Sequence, residues 1–220
     1  MPKQAKYRSS ARRGFDYLLL GVEGLLDLHQ ELHGKVGKPR RAVSDILRSA
    51  LVLALAALDG VVLEAVVEAA PLAARKSRAG GDLSKWISEE PELVLKGIAA
   101  GDASASLAEV ARANIGRTTF QKADAIEGML RGALGCQPPW DYAADALVKV
   151  RGENWTSVDV RVDLDEYVER RNRIAHNGDR EPNRRAANGI RVRYVRQGVD
   201  VVRAVGHAVC RALEDRINEP

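Results

Sequence analysis

Cysteine is scarce in this chain of 220 residues, with Cys136 and Cys210 the whole supply. Two thiols cannot build a disulfide framework, and no His or Cys cluster has the spacing of a zinc site, so no metal and no cofactor is expected. Both thiols are expected to be buried and inert. Aromatic residues make up only 5% of the chain, which leaves stacking of bases on exposed rings a poor basis for recognising nucleic acid. Long apolar runs are missing too. The longest uncharged stretch with a helical pattern, Ser49 to Leu58, ends at Asp59 and is about half of what spans a bilayer. No membrane helix is expected. The basic start, Met1 to Lys6, is followed by no apolar segment with a cleavage site before Arg12 and Arg13, so a cytoplasmic protein without a membrane partner is expected. Strand patterning is nearly absent: only Val158 to Val162 and Ile190 to Val195 alternate with charged residues, and these could form a short hairpin.

What is abundant is helical periodicity. Hydrophobic residues make up 45% and charged residues 29%, the balance of a globular chain rather than a disordered one. The length fits a single domain over 1–220. Phe15, Leu18, Leu19, Val22, Leu25, Leu26 and Leu28 fit one stripe of a helix from about Arg12 to His33, which Gly34, Gly37 and Pro39 end. The next helix runs from about Arg40 to Arg75 and is apolar almost all round between Ala50 and Val67, the mark of a central helix packed on several sides. After a break at Gly80-Gly81, helical patterns cover about Asp82 to Ala100, Ala103 to Ala113, Thr119 to Leu134 and Trp140 to Arg151. A final helix, about Gly198 to Ile217, carries Val201, Val202, Val205, Val209 and Leu213 on one face. The chain therefore reads as an all-α bundle without repeats.

Charge is distributed unevenly. The formal net charge is +4, yet Arg170 to Arg196 holds nine arginines and no lysine against Asp179 and Glu181, so this window alone is +7 and the other residues sum to −3. Guanidinium groups concentrated in one segment suit phosphate or carboxylate oxygens in forked geometry. The plain alternative is a solvated arginine-rich surface.

Inside that window lies a helix with start and stop signals. Asp163 and Glu166 have the form of a capping box, and Asn177-Gly178 supplies a left-handed exit. Between them Leu164, Tyr167, Val168, Arg171, Ile174 and Ala175 share one face. Arg171 stands in that apolar stripe, where a guanidinium is costly unless it is paired or opens into a polar cleft. Asn172 and His176 are one turn apart on its flank. A histidine, whose ordinary titration lies nearest neutral pH, beside a fixed cation can act as an acid/base and oxyanion pair. The plain alternative is a structural ion pair, with Asp59, the only carboxylate between Ile46 and Leu63, as partner of Arg171, and a histidine that merely caps the helix. Of the other histidines, His29 and His33 are one turn apart and read as exposed polar residues, since two ligands do not make a metal site. His207 reads as a packed or rim residue.

The segment Glu169-Arg-Arg-Asn-Arg-Ile-Ala-His-Asn-Gly-Asp179 resembles the R-x(4 to 6)-H signature of HEPN domains, most closely the RiboL-PSP-HEPN branch, whose members carry R-R-N-x-I-A-H followed by a nearby Asp. The resemblance extends to the Leu51 to Glu64 helix with its Leu58-Asp59 pair, and to Thr118-Thr-Phe-Gln121 followed by Trp140. It covers roughly Arg40 to Arg211, so that a HEPN-like core would span about 40–215 behind the N-terminal helix 12–33. It implies a bundle of four to five long helices with shorter accessory helices, often dimeric, with two copies of the motif lining one interfacial cleft. Active members are metal-independent endoribonucleases, frequently toxins or phage-defence effectors, so an antitoxin or regulatory protein is a further partner to expect. Carried over by position, Arg171 matches the motif arginine, Asn172 the polar residue after it and His176 the motif histidine. Arg170 also satisfies the spacing, and Arg171 is preferred because the polar Asn follows it directly. Arg170, Arg173 and Arg180 are then candidates for binding RNA, and Asp59 for a supporting role. Gly178 stands where toxins paired with nucleotidyltransferase antitoxins carry a tyrosine, so inactivation by tyrosine modification is not expected at that site.

The chemistry open to such a pair is limited. Histidine takes the proton of a ribose 2′-OH or donates one to the leaving 5′-oxygen, while arginine offsets charge growing on the phosphate. The expected products are a 2′,3′-cyclic phosphate and a 5′-OH, with RNA as substrate and DNA untouched. Arg171 and His176 point about 140° apart on an ideal helix. A long Arg side chain, a frayed helix end or the motif of a second subunit must close that gap. The alternative is a non-catalytic helical module that binds RNA or dimerises, whose affinity for RNA would fall steeply with salt while the RNA stays intact.

Overall fold

A computed structural model describes residues 9–33, 41–75, 81–115, 119–181 and 186–218. Nine α-helices and no strand occur among the described residues. They are α1 (Ser10–His33), α2 (Arg41–Arg75), α3 (Gly81–Glu89), α4 (Pro91–Ala99), α5 (Ala103–Ile115), α6 (Ala123–Leu134), α7 (Trp140–Arg151), α8 (Ser157–Asn177) and α9 (Val192–Asn218). The all-α class expected from periodicity is what the chain adopts.

The central element is α2. Leu47, Leu51, Leu55, Leu58, Val62 and Val66 are fully buried along it, because α1, α5, α6, α8 and α9 pack around its circumference. By length and composition α2 could cross a membrane. Here most of its apolar surface is covered by other helices of the same fold. Pro71 sits inside it and is buried near its C-terminal end. The second long core helix, α9, presents Val195, Val199, Val202, Val205, Val209 and Leu213 to the interior. Gly206 lets it meet α1: a Cβ there would lie 2.4 Å from ring carbons of Phe15.

Four details depart from the sequence reading. Val158 to Val162 lies inside α8 and Val192 to Val195 inside α9, so the short hairpin does not form. Both segments alternate with charged residues only because each helix has a polar outer face, and Val158 and Val162 are exposed. The helix expected over Asp82 to Ala100 is two, since Pro91 opens α4 as its first residue. The single stripe on α1 splits in two: Phe15, Leu19, Val22 and Leu26 are buried, whereas Leu18 and Leu28 are exposed. Finally, His29 is not an exposed polar residue. It is only 4% exposed, and neither ring nitrogen has a hydrogen-bond partner. Its pKa is lowered from the ordinary value, mainly by burial and then by the neighbouring charges of His33 and Arg196. Gly34, Gly37, Pro39 and Gly80 fall outside the described residues.

Both thiols are buried as expected, and burial pushes that of Cys210 up to about 12. His207 is a rim residue that pairs with Asp16 at 2.6 Å and stands edge-on to Phe15.

Candidate functional site

The helix that carries the motif starts seven residues earlier than its sequence signals imply. Thr156 is the N-cap: its hydroxyl accepts from the Asp159 N–H, and the Asp159 carboxylate returns a bond to the Thr156 N–H. This is a capping box in which Asp replaces the usual Glu or Gln, and its hydrogen bonds hold the Asp159 carboxyl below the ordinary range. Asp163 and Glu166, the expected box, lie one turn and more into α8. Asp163 is half-buried there, and burial, reinforced by Glu166, raises its pKa.

From this start the stripe runs as read. Leu164, Tyr167 and Val168 are buried, Arg171 is half-buried, Ile174 packs at the edge of the core, and Ala175 is exposed. The α8 stripe thus leaves the interior between Val168 and Ala175, and Arg171 sits where the apolar surface meets solvent. Its Nη1 donates to the Asn172 side-chain oxygen at 2.9 Å. Its Nε is buried and unpartnered. His176 is exposed in the last turn. The structure brings Arg171 and Asn172 into contact and leaves His176 apart from both within one chain.

The exit from α8 is a built turn. Gly178 has φ 58° and Asp179 φ 59°, two consecutive left-handed residues, of which only the first is free of a steric penalty. Their N–H groups donate to the carbonyls of Ile174 (3.1 Å) and Arg173 (3.0 Å). The turn swings the Asp179 side chain under the helix end, where it is 0% exposed. There Oδ2 accepts from Arg48 Nε at 3.0 Å and from Arg170 Nη2 at 2.7 Å.

The same two guanidinium groups also bind the returning chain. Arg48 Nη2 donates to the Asn188 carbonyl, Arg170 Nη2 donates to the Gly189 carbonyl at 2.9 Å, and the Asn188 N–H donates to the Asp179 carbonyl at 2.7 Å. Arg48 further binds Asp45 at 2.9 Å. Two arginines and two carboxylates therefore clamp the start of α2, the end of α8 and the approach to α9. The guanidinium carbon of Arg170 lies 6.0 Å from the centroid of the Tyr194 ring, and burial raises this phenol to about 12.

The two candidate motif arginines thus have different surroundings. Arg170 is bound by Asp179 and Gly189, with a side chain only 16% exposed, while Arg171 touches no carboxylate among the described residues. Asp59 is not its partner: that carboxylate accepts from the Phe120 N–H at 2.5 Å and from the Gln121 amide at 3.4 Å. Asp59 supports the entry to α6, which Asp165 also holds by accepting from the Ala123 N–H at 3.0 Å. Of the segments that carried the family resemblance, those at Asp59 and at Phe120-Gln121 are therefore in contact, through a structural carboxylate. Arg173 and Arg180 are exposed at the end of α8, and Arg191 and Arg193 are exposed around the start of α9. Arg184 and Arg185 lie outside the described residues.

Sequence reasoning missed Arg48. Its signal was present: a single cation on a helix otherwise uncharged from Ile46 to Leu58, the same anomaly that singled out Arg171. Among the described residues no group of three or more His, Cys, Asp or Glu could hold a metal ion. Comparison of the chain with models of known families, with characterised proteins and with solved structures finds no match in any of the three.

Proposed function

We propose that this chain is a metal-independent endoribonuclease of HEPN type, in which Arg171, Asn172 and His176 act on an RNA phosphodiester. The observation that carries the reading is the contrast between adjacent arginines. Arg170 is neutralised in the Asp179 clamp, and Arg171, with no carboxylate partner among the described residues, stays available at the border of core and solvent, on the same helix as the exposed His176. A guanidinium held this way, with its Nε unpartnered, is suited to the non-bridging oxygens of a phosphate. Asn172 orients it by accepting from Nη1.

His176 accepts the 2′-OH proton as that oxygen attacks the adjacent phosphorus, and a protonated His176 supplies the proton to the departing 5′-oxygen. Arg171 offsets the charge that accumulates on the phosphorane oxygens. The products are a 2′,3′-cyclic phosphate and a 5′-OH end, and DNA, which has no 2′-OH, is not cut. Because α8 keeps its α-helical hydrogen bonding through Asn177, a frayed end does not bridge the roughly 140° between the two side chains. The length of the Arg171 side chain, or the motif of a second copy facing it, supplies the approach. Arg173, Arg180, Arg191 and Arg193 surround this end of α8 with exposed positive charge for the flanking phosphates. A role as a toxin or defence effector held in check by a protein partner is consistent with such an activity.

The test is incubation of the purified chain with RNA in EDTA. Cutting that leaves cyclic phosphate ends and is lost in His176→Ala with an unchanged melting temperature supports the reading. Salt-sensitive binding of RNA that stays intact replaces it with a non-catalytic binding module.

A further inference from the structure

Among the described residues His29 is the one buried histidine. Its side chain is 4% exposed, and neither ring nitrogen has a hydrogen-bond partner. A buried imidazole left without any partner is costly and calls for an explanation. It stands in the wall of an open cavity of about 440 Å³ between the C-terminal end of α1, the start of α2 and the chain that enters α9.

The cavity has two unlike sides. Leu47, Ile190 and Val192 make an apolar floor. The other side carries Arg191 and Arg196, together with His33, whose ring is tilted against that of His29 with centroids 5.1 Å apart. No carboxylate lines it among the described residues. Arg196 approaches one acid, Glu23, at 3.9 Å, and Glu23 is itself bound by Arg203 at 2.5 Å. Helix α9 begins at Val192, so the end of this helix that presents first-turn N–H groups without intrahelical partners borders the same space. The floor is fixed in advance, because Arg48 and Arg170 hold the carbonyls of Asn188 and Gly189 immediately before Ile190.

We infer that this cavity binds a small amphipathic oxyanion, a carboxylate or phosphate group carried on an apolar body. The head group pairs with Arg196 and the amide end of α9 and gives His29 its missing partner, while the body lies on Leu47, Ile190 and Val192. The His29 nitrogens are sealed from water, so half-buried His33 at the end of α1 turns aside as the head group enters. The inference stands apart from the RNA reading. An RNA phosphate brings no apolar group for the floor, and the volume is at the small end of the roughly 300–1,000 Å³ usual for ligand cavities.

The experiment is isothermal titration calorimetry of the full chain with phenylacetate and with phenyl phosphate. Benzyl alcohol serves as the body without a charge, and inorganic phosphate as the head without a body. At least one of the two aromatic anions should bind with a Kd of about 1 mM or lower and both controls at least about tenfold more weakly; the tighter anion identifies the head group. Arg196→Gln and His29→Leu should each weaken that binding about tenfold or more. Arg191→Glu, exposed at the start of α9 where an acid suits the helix, should keep the melting temperature of the parent and bind neither anion. The bound anion should raise the melting temperature of the parent and not that of Arg196→Gln. No binding of either anion at about 10 mM, benzyl alcohol binding as tightly as the anions, or an affinity unchanged in Arg196→Gln and His29→Leu would overturn the inference. So would RNA that loses affinity in Arg196→Gln and His29→Leu while neither small anion binds, since the cavity would then belong to an RNA-binding face.

Discussion

Removing the Asp179 carboxylate tests how the end of α8 is held. In the Asp179→Gly variant the left-handed backbone at φ 59° becomes free of steric penalty, so any loss of stability must come from the side chain. That side chain is fully buried and bonded to Arg48, itself only 8% exposed, and to Arg170 at 16%. Deleting it leaves Arg170 with no carboxylate and Arg48 with only the half-exposed Asp45. Breaking a buried pair by removing one partner costs about 3–5 kcal/mol, because a desolvated charge remains. For a chain of this size each kcal/mol lowers the melting temperature by roughly 2–4 °C, so the midpoint should fall by about 6–20 °C. Asp179→Asn, which tolerates the same backbone and keeps one acceptor, should fall between parent and Gly variant. Thermal unfolding followed by circular dichroism reads all three. A Gly variant that melts within a degree or two of the parent would show that the clamp adds nothing and that the turn is held by its backbone alone.

Other perturbations reach other parts of the fold. Burial lowers the pKa of His29 below its ordinary 6.5, so on acidification the unfolded chain binds this proton first, and stability present above about pH 6.5 is lost below it. The drop in melting temperature between neutral and mildly acidic pH should be smaller in His29→Leu than in the parent, and equal drops would contradict this. Gly206→Ala forces a Cβ to 2.4 Å from the Phe15 ring and should cost about 1–3 kcal/mol by overpacking, read by urea denaturation; a neutral result would mean that α1 shifts without cost. Cys210, with its thiol pushed up to about 12 by burial, should not react with a thiol reagent in the folded state and should react once urea unfolds the chain. Modification in native buffer would contradict its packing.

The all-helical class and the central place of α2 were legible because burial leaves a periodic trace: a helix covered on most sides, as α2 is between Ala50 and Val67 except along the strip of Leu53, Ala56 and Gly60, is apolar almost all round. The end of α8 was legible for a local reason, since Asn177-Gly178 needs no tertiary contact to turn left-handed. Its start was not. Thr156-x-x-Asp159 is a capping box as good as the Asp163 to Glu166 pattern, and the choice between them is made by packing of Val160 in the core. The alternation at Val158 to Val162 suggested a strand for the same reason, because five residues are too few to separate the two periods.

The two stripes on α1 merged into one in the sequence because their arcs adjoin, and only the position of α2 and α9 tells which is inside. At the candidate site, the residues Arg171, Asn172 and His176 are visible as a motif, whereas the division of labour between Arg170 and Arg171 is not. It depends on Asp179 reaching back to Arg48, a residue 131 positions away, and such long-range pairing leaves no periodic signal.

The most direct measurement for the proposed function is cleavage of RNA in EDTA by the parent, His176→Ala and Arg171→Ala, with Arg170→Ala and melting curves beside them. Cutting by the parent that leaves 2′,3′-cyclic phosphate ends, lost in His176→Ala and Arg171→Ala at unchanged melting temperature, is the predicted result, with Arg170→Ala lowering stability instead. RNA cut equally well by parent and His176→Ala, or not cut by any of them, would contradict it.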